Sequence, residues 1–112
     1  MATLARQDVA ALRTALGVSR ERLARMVNVS AKTVKRWERG DTQPSGHSAV
    51  RLAQLREIAE LGQLVYAPAG LTQFITTPMA VFDYRTAAQM VERGDGARVL
   101  AALSADYEGL GA

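Results

Sequence analysis

The 112-residue sequence contains no cysteine and a single histidine, His47. Without cysteine it has neither a disulfide nor a thiolate metal site, and one histidine alone falls short of the several converging ligands that a metal site needs. No Ser/His/Asp set has a plausible placement, and Gly94-Asp95-Gly96 is too short for a phosphate loop. We therefore expect a protein that is not an enzyme and that uses no metal or other cofactor.

Aromatic residues make up only 5% of the sequence, whereas hydrophobic residues make up 48%. This balance is typical of a soluble helical protein rich in Ala and Leu, and no strand-like alternation persists along the chain. No apolar run approaches the roughly 20 residues that span a membrane, and the N-terminal stretch lacks the apolar core of a signal peptide. We expect an all-α, cytoplasmic protein that does not associate with membranes.

Charge is unevenly distributed along the chain. Residues 1–60 hold eleven Lys or Arg against six Asp or Glu, whereas residues 61–112 hold three against five. Seven basic residues fall within Arg20–Arg39 alone, accompanied by two acidic ones. A local cationic field of this kind attracts a polyanion, although charge by itself leaves a merely solvated helix face as an open alternative.

Two short helices separated by a three- or four-residue turn are predicted over Ser19–Gly40. Ser19 and Ser30 are candidate N-caps, Asn28 tolerates the left-handed turn conformation, and Gly40 ends the second helix. Two short helices joined in this way place the second helix in the DNA major groove. Its polar face would project these residues, whose Lys and Arg side chains bind phosphates or guanine: Ala31, Lys32, Lys35, Arg36 and Arg39.

Farther along, a longer helix is predicted from about Ser48 to about Val65. Pro68–Gly70 then interrupts the chain, so we predict two units, residues 1–66 and residues 67–112. Within the second unit, Thr86 with Gln89 forms a capping-box pattern, residues 97–107 form a last helix, and glycines make the final residues a flexible tail.

The segment LGVSRERLARMVNVSAKTVKRWERGDTQPS resembles the Xre (Cro/cI-type) helix-turn-helix family. The resemblance covers roughly residues 3–62 and implies that the start of the third helix reads bases, through Ser30, Ala31, Lys32 and Lys35. It implies phosphate contacts for Arg36 and Arg39, and a structural role for Glu38. We interpret Trp37 as a core residue.

The segment PMAVFDYRTAAQMVERGDGARVLAALSADYEGLGA resembles the toxin-binding C-terminal domain of the Xre/MbcA/ParS antitoxins. The resemblance implies a homodimeric antitoxin that blocks a RES-domain toxin, a class that depletes NAD, and that represses its own operon. Residues 107–112 would reach into a cleft of the toxin, with Glu108 mimicking an anionic ligand. The predicted toxin-binding residues are Phe82, Tyr84, Arg85, Tyr107, Glu108, Gly109 and Leu110.

Three functions remain open from the residues themselves. The first is an antitoxin that binds operator DNA and a RES-domain toxin. The second is a plain Xre-family repressor whose C-terminal half only dimerises, and the third is an interaction protein whose basic face does not bind DNA specifically. A symmetric homodimer is expected for a helix-turn-helix protein on a palindrome, with a contact beginning near Leu61, Leu64 and Val65.

Overall fold

The computed structural model describes the backbone of residues 5–111 and the side chains of residues 9–111, so residues 1–4 and 112 of the predicted units lie outside it. Helices account for most of the described chain, which confirms the all-α fold class. A short 3-10 helix, Ala80–Phe82, lies between α5 and α6. The α-helices are α1 (Ala5–Leu16), α2 (Arg20–Val27), α3 (Ala31–Arg39), α4 (Gly46–Val65), α5 (Pro68–Thr76), α6 (Ala87–Glu92) and α7 (Gly96–Leu110).

The caps predicted for the helix-turn-helix are confirmed. The hydroxyls of Ser19 and Ser30 each accept a hydrogen bond from the backbone N–H three residues later, at 3.1 Å. Asn28 ends α2 at φ 60°, and Gly40 ends α3 at φ 82°, both in the left-handed region. Asn and Gly are the residues that adopt this conformation most readily, so local chemistry sets the turn between the two helices.

Two boundary predictions in the second half are wrong. The break between the helices lies before Pro68–Gly70, because α4 ends at Val65 and Pro68 already begins α5, where its fixed φ suits a helix and its missing N–H costs nothing. The tail is also not flexible from Tyr107 onward, since α7 continues through Gly109 to Leu110. The capping box at Thr86 is confirmed, with reciprocal hydrogen bonds of 3.0 and 2.8 Å to Gln89.

The two halves of the chain share one hydrophobic core. In that core α6 packs on α2, α7 packs along α4, and α5 packs on α1. Buried side chains from both sides of residue 66 therefore belong to one cluster. The fully buried large side chains include members from both halves: Leu16, Leu23, Met26, Leu52, Leu55, Ile58, Leu71, Ile75, Phe82, Met90 and Leu103.

The contact between α1 and α5 is close at Gly17. Thr72 on α5 donates its hydroxyl hydrogen to the Leu16 carbonyl at 3.2 Å, which satisfies an acceptor at the end of α1. Gly17 follows at φ 68°, and a Cβ at this position would overlap the Thr72 side chain. Only glycine therefore combines the left-handed conformation with this approach of the two helices.

A carboxylate near the end of α3 fixes the orientation of that helix. The Nε atoms of Arg13 on α1 and Arg20 on α2 donate to the two oxygens of Glu38, each at 2.7 Å. The Glu38 side chain is only 8% exposed. Burial alone would raise the pKa of this carboxyl, but the hydrogen bonds and charges of the two arginines outweigh it and hold the pKa below the usual 4.5.

Replacing Gly17 tests the packing of α5 on α1, and Gly46 provides a matched control. Gly46 has φ 58°, but nothing lies near a Cβ there. Gly46→Ala should lower the free energy of unfolding by about 1–2 kcal/mol, the cost of a left-handed alanine. Gly17→Ala should lower it by a further ~1–3 kcal/mol because of the overlap with Thr72. Equal losses in urea denaturation would contradict the described α1–α5 contact.

Replacing Glu38 tests the ion pairs that orient α3. At pH 7, Glu38→Gln should lower the free energy of unfolding by roughly 1–3 kcal/mol, the range for hydrogen bonds to charged groups. The folded-state pKa is depressed, so this stabilisation is fully present above the unfolded value near 4.5 and is lost as pH falls through the folded value. Urea denaturation of both proteins between pH 7 and pH 3 should therefore show a shrinking difference.

Glu57→Gln is the control for Glu38, because Glu57 is an exposed carboxylate on α4 with no ion pair among the described residues. It should change stability little at any pH. A Glu38→Gln difference that stays constant down to pH 3 would show that the two arginines do not depend on the Glu38 charge.

Candidate nucleic-acid and protein interfaces

A stripe of cationic side chains runs along the outer face of α3. Lys32, Lys35, Arg36 and Arg39 are all exposed, and their spacing of three, four and seven residues places them on one side of a helix. Val34 and Trp37 are buried on the opposite side, in agreement with the core role predicted for Trp37. The stripe is thus free to meet a polyanion along its whole length.

Few interactions within the chain neutralise this stripe. Lys32, Lys35 and Arg36 form no ion pair with any other residue that the structure describes. Arg39 lies 3.9 Å from Asp41, but both side chains are mostly exposed, and such pairs contribute little. The first turn of α3 also contains no acidic residue. Positive charge therefore remains available at the surface.

The two remaining predicted base readers lie at the start of α3. Ser30 is exposed, but its hydroxyl caps the helix and lies 2.9 Å from the Thr33 hydroxyl, so its hydrogen-bonding capacity is already partly used. Ala31 is half-buried and packs against the core. Both positions border the N-terminus of α3, where backbone N–H groups favour a phosphate oxygen.

Contacts from α4 and from α6 of the C-terminal half support α2, the helix that packs beside α3. Arg51 on α4 donates to the Met26 carbonyl in the last turn of α2 at 3.1 Å, a position that favours a cation. Arg25 on α2 lies 3.8 Å from Glu92 on α6. The position of α2 in the helix-turn-helix is therefore stabilised by contacts with α4 and α6 as well as by the turn between α2 and α3.

Phe82 must be removed from the predicted contact residues of the C-terminal half. Its side chain is 0% exposed, and its ring packs edge-on against Phe74 with centroids 6.2 Å apart. Burial of this large aromatic area stabilises the core and leaves no surface for a partner. Phe82 is therefore a core residue.

The neighbouring predicted residues have surface positions. Tyr84 is 76% exposed, and the half-buried Arg85 forms an isolated bridge with Met79 through its backbone. Tyr107, Glu108, Gly109 and Leu110 are all exposed in the last turns of α7. These four residues lie on a regular helix rather than on a flexible extension.

An apolar groove of about 310 Å³ lies beside α5. Tyr66 stacks on Phe74 at its base, with ring centroids 5.4 Å apart, and the Tyr66 hydroxyl donates to Asp106 on α7 at 3.3 Å. Burial, with the charge and hydrogen bond of Asp106, raises the pKa of Tyr66 above its usual 10.0. The residues lining the groove are Tyr66, Gly70, Gln73, Phe74, Thr77 and Met79.

Several site residues were not predicted from the sequence. Arg13, Arg20, Arg51 and Arg98 were treated only as surface charge, although each binds an atom far away in the sequence. Their partners are brought close by tertiary packing, which no local spacing reveals. Within the part of the chain that the structure describes, no cluster of His, Asp or Glu could hold a metal ion, and no helix is long and apolar enough to cross a membrane.

Comparisons with known proteins match both halves of the chain. Residues 9–55 match the helix-turn-helix family HTH_3. The mycobacterial cidal antitoxins MbcA of Mycobacterium bovis and Mycobacterium tuberculosis are each 28% identical over 95 residues, which cover 85% of this chain and 84% of the relative. These relatives are named as antitoxins, not as enzymes.

A solved structure resembles the whole fold. A chain in the crystal structure of the M. tuberculosis MbcT–MbcA toxin–antitoxin complex superposes with a TM-score of 0.81 at 26% identity, covering 96% of this chain and 97% of that one. The match includes the C-terminal half as well as the helix-turn-helix. Residues 9–55 therefore form an Xre-type helix-turn-helix domain, and the chain as a whole is a homologue of the MbcA antitoxins.

Proposed function

We propose that this protein is a type II antitoxin that neutralises a RES-domain, NAD-depleting toxin through its C-terminal half and represses its own operon through the helix-turn-helix. The observation that carries this proposal is the likeness to a chain of a toxin–antitoxin complex along 96% of the present chain. A relative that shared only the helix-turn-helix would support DNA binding alone. Likeness through α5, α6 and α7 supports a shared use of the C-terminal half.

The proposed DNA contact places α3 in the major groove. Lys32 and Lys35 would reach base edges from the first turns, where a basic side chain can bind guanine O6 and N7. Arg36 and Arg39, farther along the same face, would bind phosphate oxygens and fix the register of the helix. Ser30 and Ala31 were also predicted to read bases, but the Ser30 hydroxyl already caps the helix and Ala31 packs against the core. We therefore propose that these two residues lie against the phosphate backbone at the N-terminus of α3.

The proposed toxin contact uses exposed side chains of the C-terminal half. Tyr84 and Arg85 lie between the 3-10 helix and α6, and Tyr107 to Leu110 form the end of α7. Aromatic and arginine side chains supply much of the binding energy in protein interfaces. Because the end of α7 is helical, it would block a toxin cleft as a preformed rod, with Glu108 as the group that mimics an anionic ligand.

The proposed assembly is a homodimer that acts in the cytoplasm, where operator DNA and toxin are both present. A symmetric dimer matches the symmetry of a palindromic operator. Leu64 is exposed on α4, and Leu61 and Leu100 lie beside it in a groove of about 460 Å³. This apolar surface supports a contact between two copies near Leu61, Leu64 and Val65.

Replacing the two lysines of α3 tests the DNA proposal. Lys32→Ala and Lys35→Ala should each weaken binding to a palindromic operator by roughly 1–3 kcal/mol where a base contact is lost. Arg36→Ala should weaken binding to all sequences alike and reduce the salt slope by about one. Fluorescence anisotropy titrations at several salt concentrations measure both effects.

Arg93→Ala is the matched control for these variants, because Arg93 is an exposed arginine at the end of α6, away from α3. It should bind the operator like the unchanged protein. Titrations that show no loss for either lysine variant would remove α3 from the DNA interface and contradict the proposed readout.

Removing the end of α7 tests the toxin proposal. Co-expression of this protein with its proposed RES-domain partner toxin should rescue cell growth. Deletion of residues 107–112 should weaken that rescue because the exposed last turns of α7 are lost. Operator binding should persist, since α3 contacts α1 and α2 rather than α7. Growth curves and operator titrations of the same variant measure the two activities separately.

Deletion of residues 111–112 alone is the control, because it leaves the helix through Leu110 intact. It should preserve rescue. Rescue that survives the loss of residues 107–112 would remove the end of α7 from the toxin contact. Failure of the unchanged protein to rescue growth would exclude the antitoxin function and favour a plain repressor whose C-terminal half only dimerises.

A further inference from the structure

The loop formed by residues 79–85, called the 79–85 loop below, has a fixed shape. The backbone N–H of Met79 donates to the Arg85 carbonyl at 3.1 Å, and the N–H of Tyr84 donates to the Met79 carbonyl at 2.9 Å. Between them, Phe82 is fully buried against Phe74. The inner side of the loop is therefore part of the core, and only its outer side is available to a partner.

A single arginine of α7 ties the outer side of this loop to the body of the protein. The Nη2 atom of Arg98 donates to the Val81 carbonyl at 2.8 Å, and its Nη1 atom lies 3.7 Å from a carboxylate oxygen of Asp83. The first contact has the length of a charge-assisted hydrogen bond. The second is a mostly exposed ion pair, which contributes much less.

The conformation held by these contacts is unfavourable for its residues. Asp83 and Tyr84 have φ values of 56° and 65°, so two consecutive non-glycine residues adopt the left-handed region. Aspartate tolerates this region better than most residues, but a bulky aromatic residue does not. The Tyr84 side chain is 76% exposed and gains no packing in return. The turn at Asp83 and Tyr84, closed by the Arg85 N–H donating to the Phe82 carbonyl at 3.1 Å, follows the buried Phe82, but burial of the Tyr84 side chain does not offset the strain at Tyr84 itself. Strain of this kind is typical of functional sites.

The surface that the loop presents has a definite chemistry. Val81 is 53% exposed and, with Tyr84, provides two apolar groups at the surface. The adjoining Arg85 is half-buried, and its side chain forms no hydrogen bond or ion pair with the residues that the structure describes. This surface complements an apolar pocket with a carboxylate at its rim. The Asp83 carboxylate on this loop already faces Arg98, so contact of the loop with its own copy would bring two Arg85 side chains together without a further carboxylate from the loop, which disfavours a second copy as the partner.

We propose that the 79–85 loop is a preformed anchor that inserts Tyr84 into an apolar, carboxylate-edged pocket of the toxin, and that Arg98 is the positioning residue that maintains its shape. This inference rests on the proposed antitoxin function. A loop that is already ordered loses little conformational entropy on binding, and tyrosine is a frequent anchor at interfaces.

Hydrogen–deuterium exchange of the free protein tests the role of Arg98 without any partner. Arg98→Ala should speed exchange of the Tyr84 and Arg85 amides at least about tenfold, because the loop opens more often. Asp83→Asn keeps a residue that tolerates the left-handed region and should have little effect. Arg93→Ala removes an arginine with a similar exposed ion pair and serves as the control. Unchanged exchange in Arg98→Ala would overturn the positioning role.

Titration of this protein with its proposed RES-domain partner toxin tests whether Tyr84 is an anchor. Tyr84→Ala should weaken binding at least about tenfold, as expected for a hot-spot residue, whereas Tyr84→Phe should bind nearly as well because the pocket is apolar. Arg85→Glu should weaken binding more than Arg85→Lys, and Arg98→Ala should weaken it through faster dissociation. Operator affinity and the oligomeric state of the free protein should stay the same in every variant.

The outcomes separate the anchor from the antitoxin function itself. If the unchanged protein does not bind the toxin, the proposed function fails. If it binds and Tyr84→Ala binds equally well, the antitoxin function stands and the anchor is refuted. A Tyr84→Ala variant that loses only operator binding, or only self-association, would assign the loop to DNA or to a second copy and would likewise refute the anchor.

Discussion

The packing of α6 on α2 is the contact on which the rest of the structure depends. An isolated helix-turn-helix of this length has little core, since α2 and α3 are short helices and α1 covers only part of their inner faces. Here α6 covers α2, and Arg25 on α2 lies 3.8 Å from Glu92 on α6, while Arg51 on α4 donates to the Met26 carbonyl in the last turn of α2. The helix that orients the DNA-facing α3 is therefore stabilised by the half of the chain that is proposed to bind a protein.

A shared core limits how the two surfaces can be studied. Loss of a buried residue in either half would lower the stability of both, because the fully buried side chains form one cluster. Only exposed residues separate the two activities, and each surface offers some: the cationic stripe of α3, and Tyr84 with the last turns of α7. Glu38 belongs to neither group. Its side chain is only 8% exposed, but it orients α3 through its ion pairs with Arg13 and Arg20.

Sequence reasoning predicted the features that depend on neighbouring residues. The caps at Ser30 and Thr86 and the left-handed turn at Asn28 are set by hydrogen bonds within a few residues, so their patterns were readable. The same reasoning misread Pro68, because a proline that starts a helix and one that ends a helix look alike until the following turn is known. Phe82 could not be assigned to the core, since the ring that covers it, Phe74, is brought there only by tertiary packing.

Among the three non-glycine residues that the structure describes in the left-handed region, Asn28 and Tyr84 show how a local rule and its exception carry different information. Asn28 obeys the rule, because its residue type suits the turn between α2 and α3, and the conformation is explained by the fold. Tyr84 breaks the rule, and neither burial nor a side-chain hydrogen bond within the described chain compensates. In natural proteins, local residue preferences usually agree with the fold, and the positions where they disagree tend to be functional sites. The exposed, strained Tyr84 is therefore a stronger indication of a partner than Tyr107, which is less exposed and lies in regular helix.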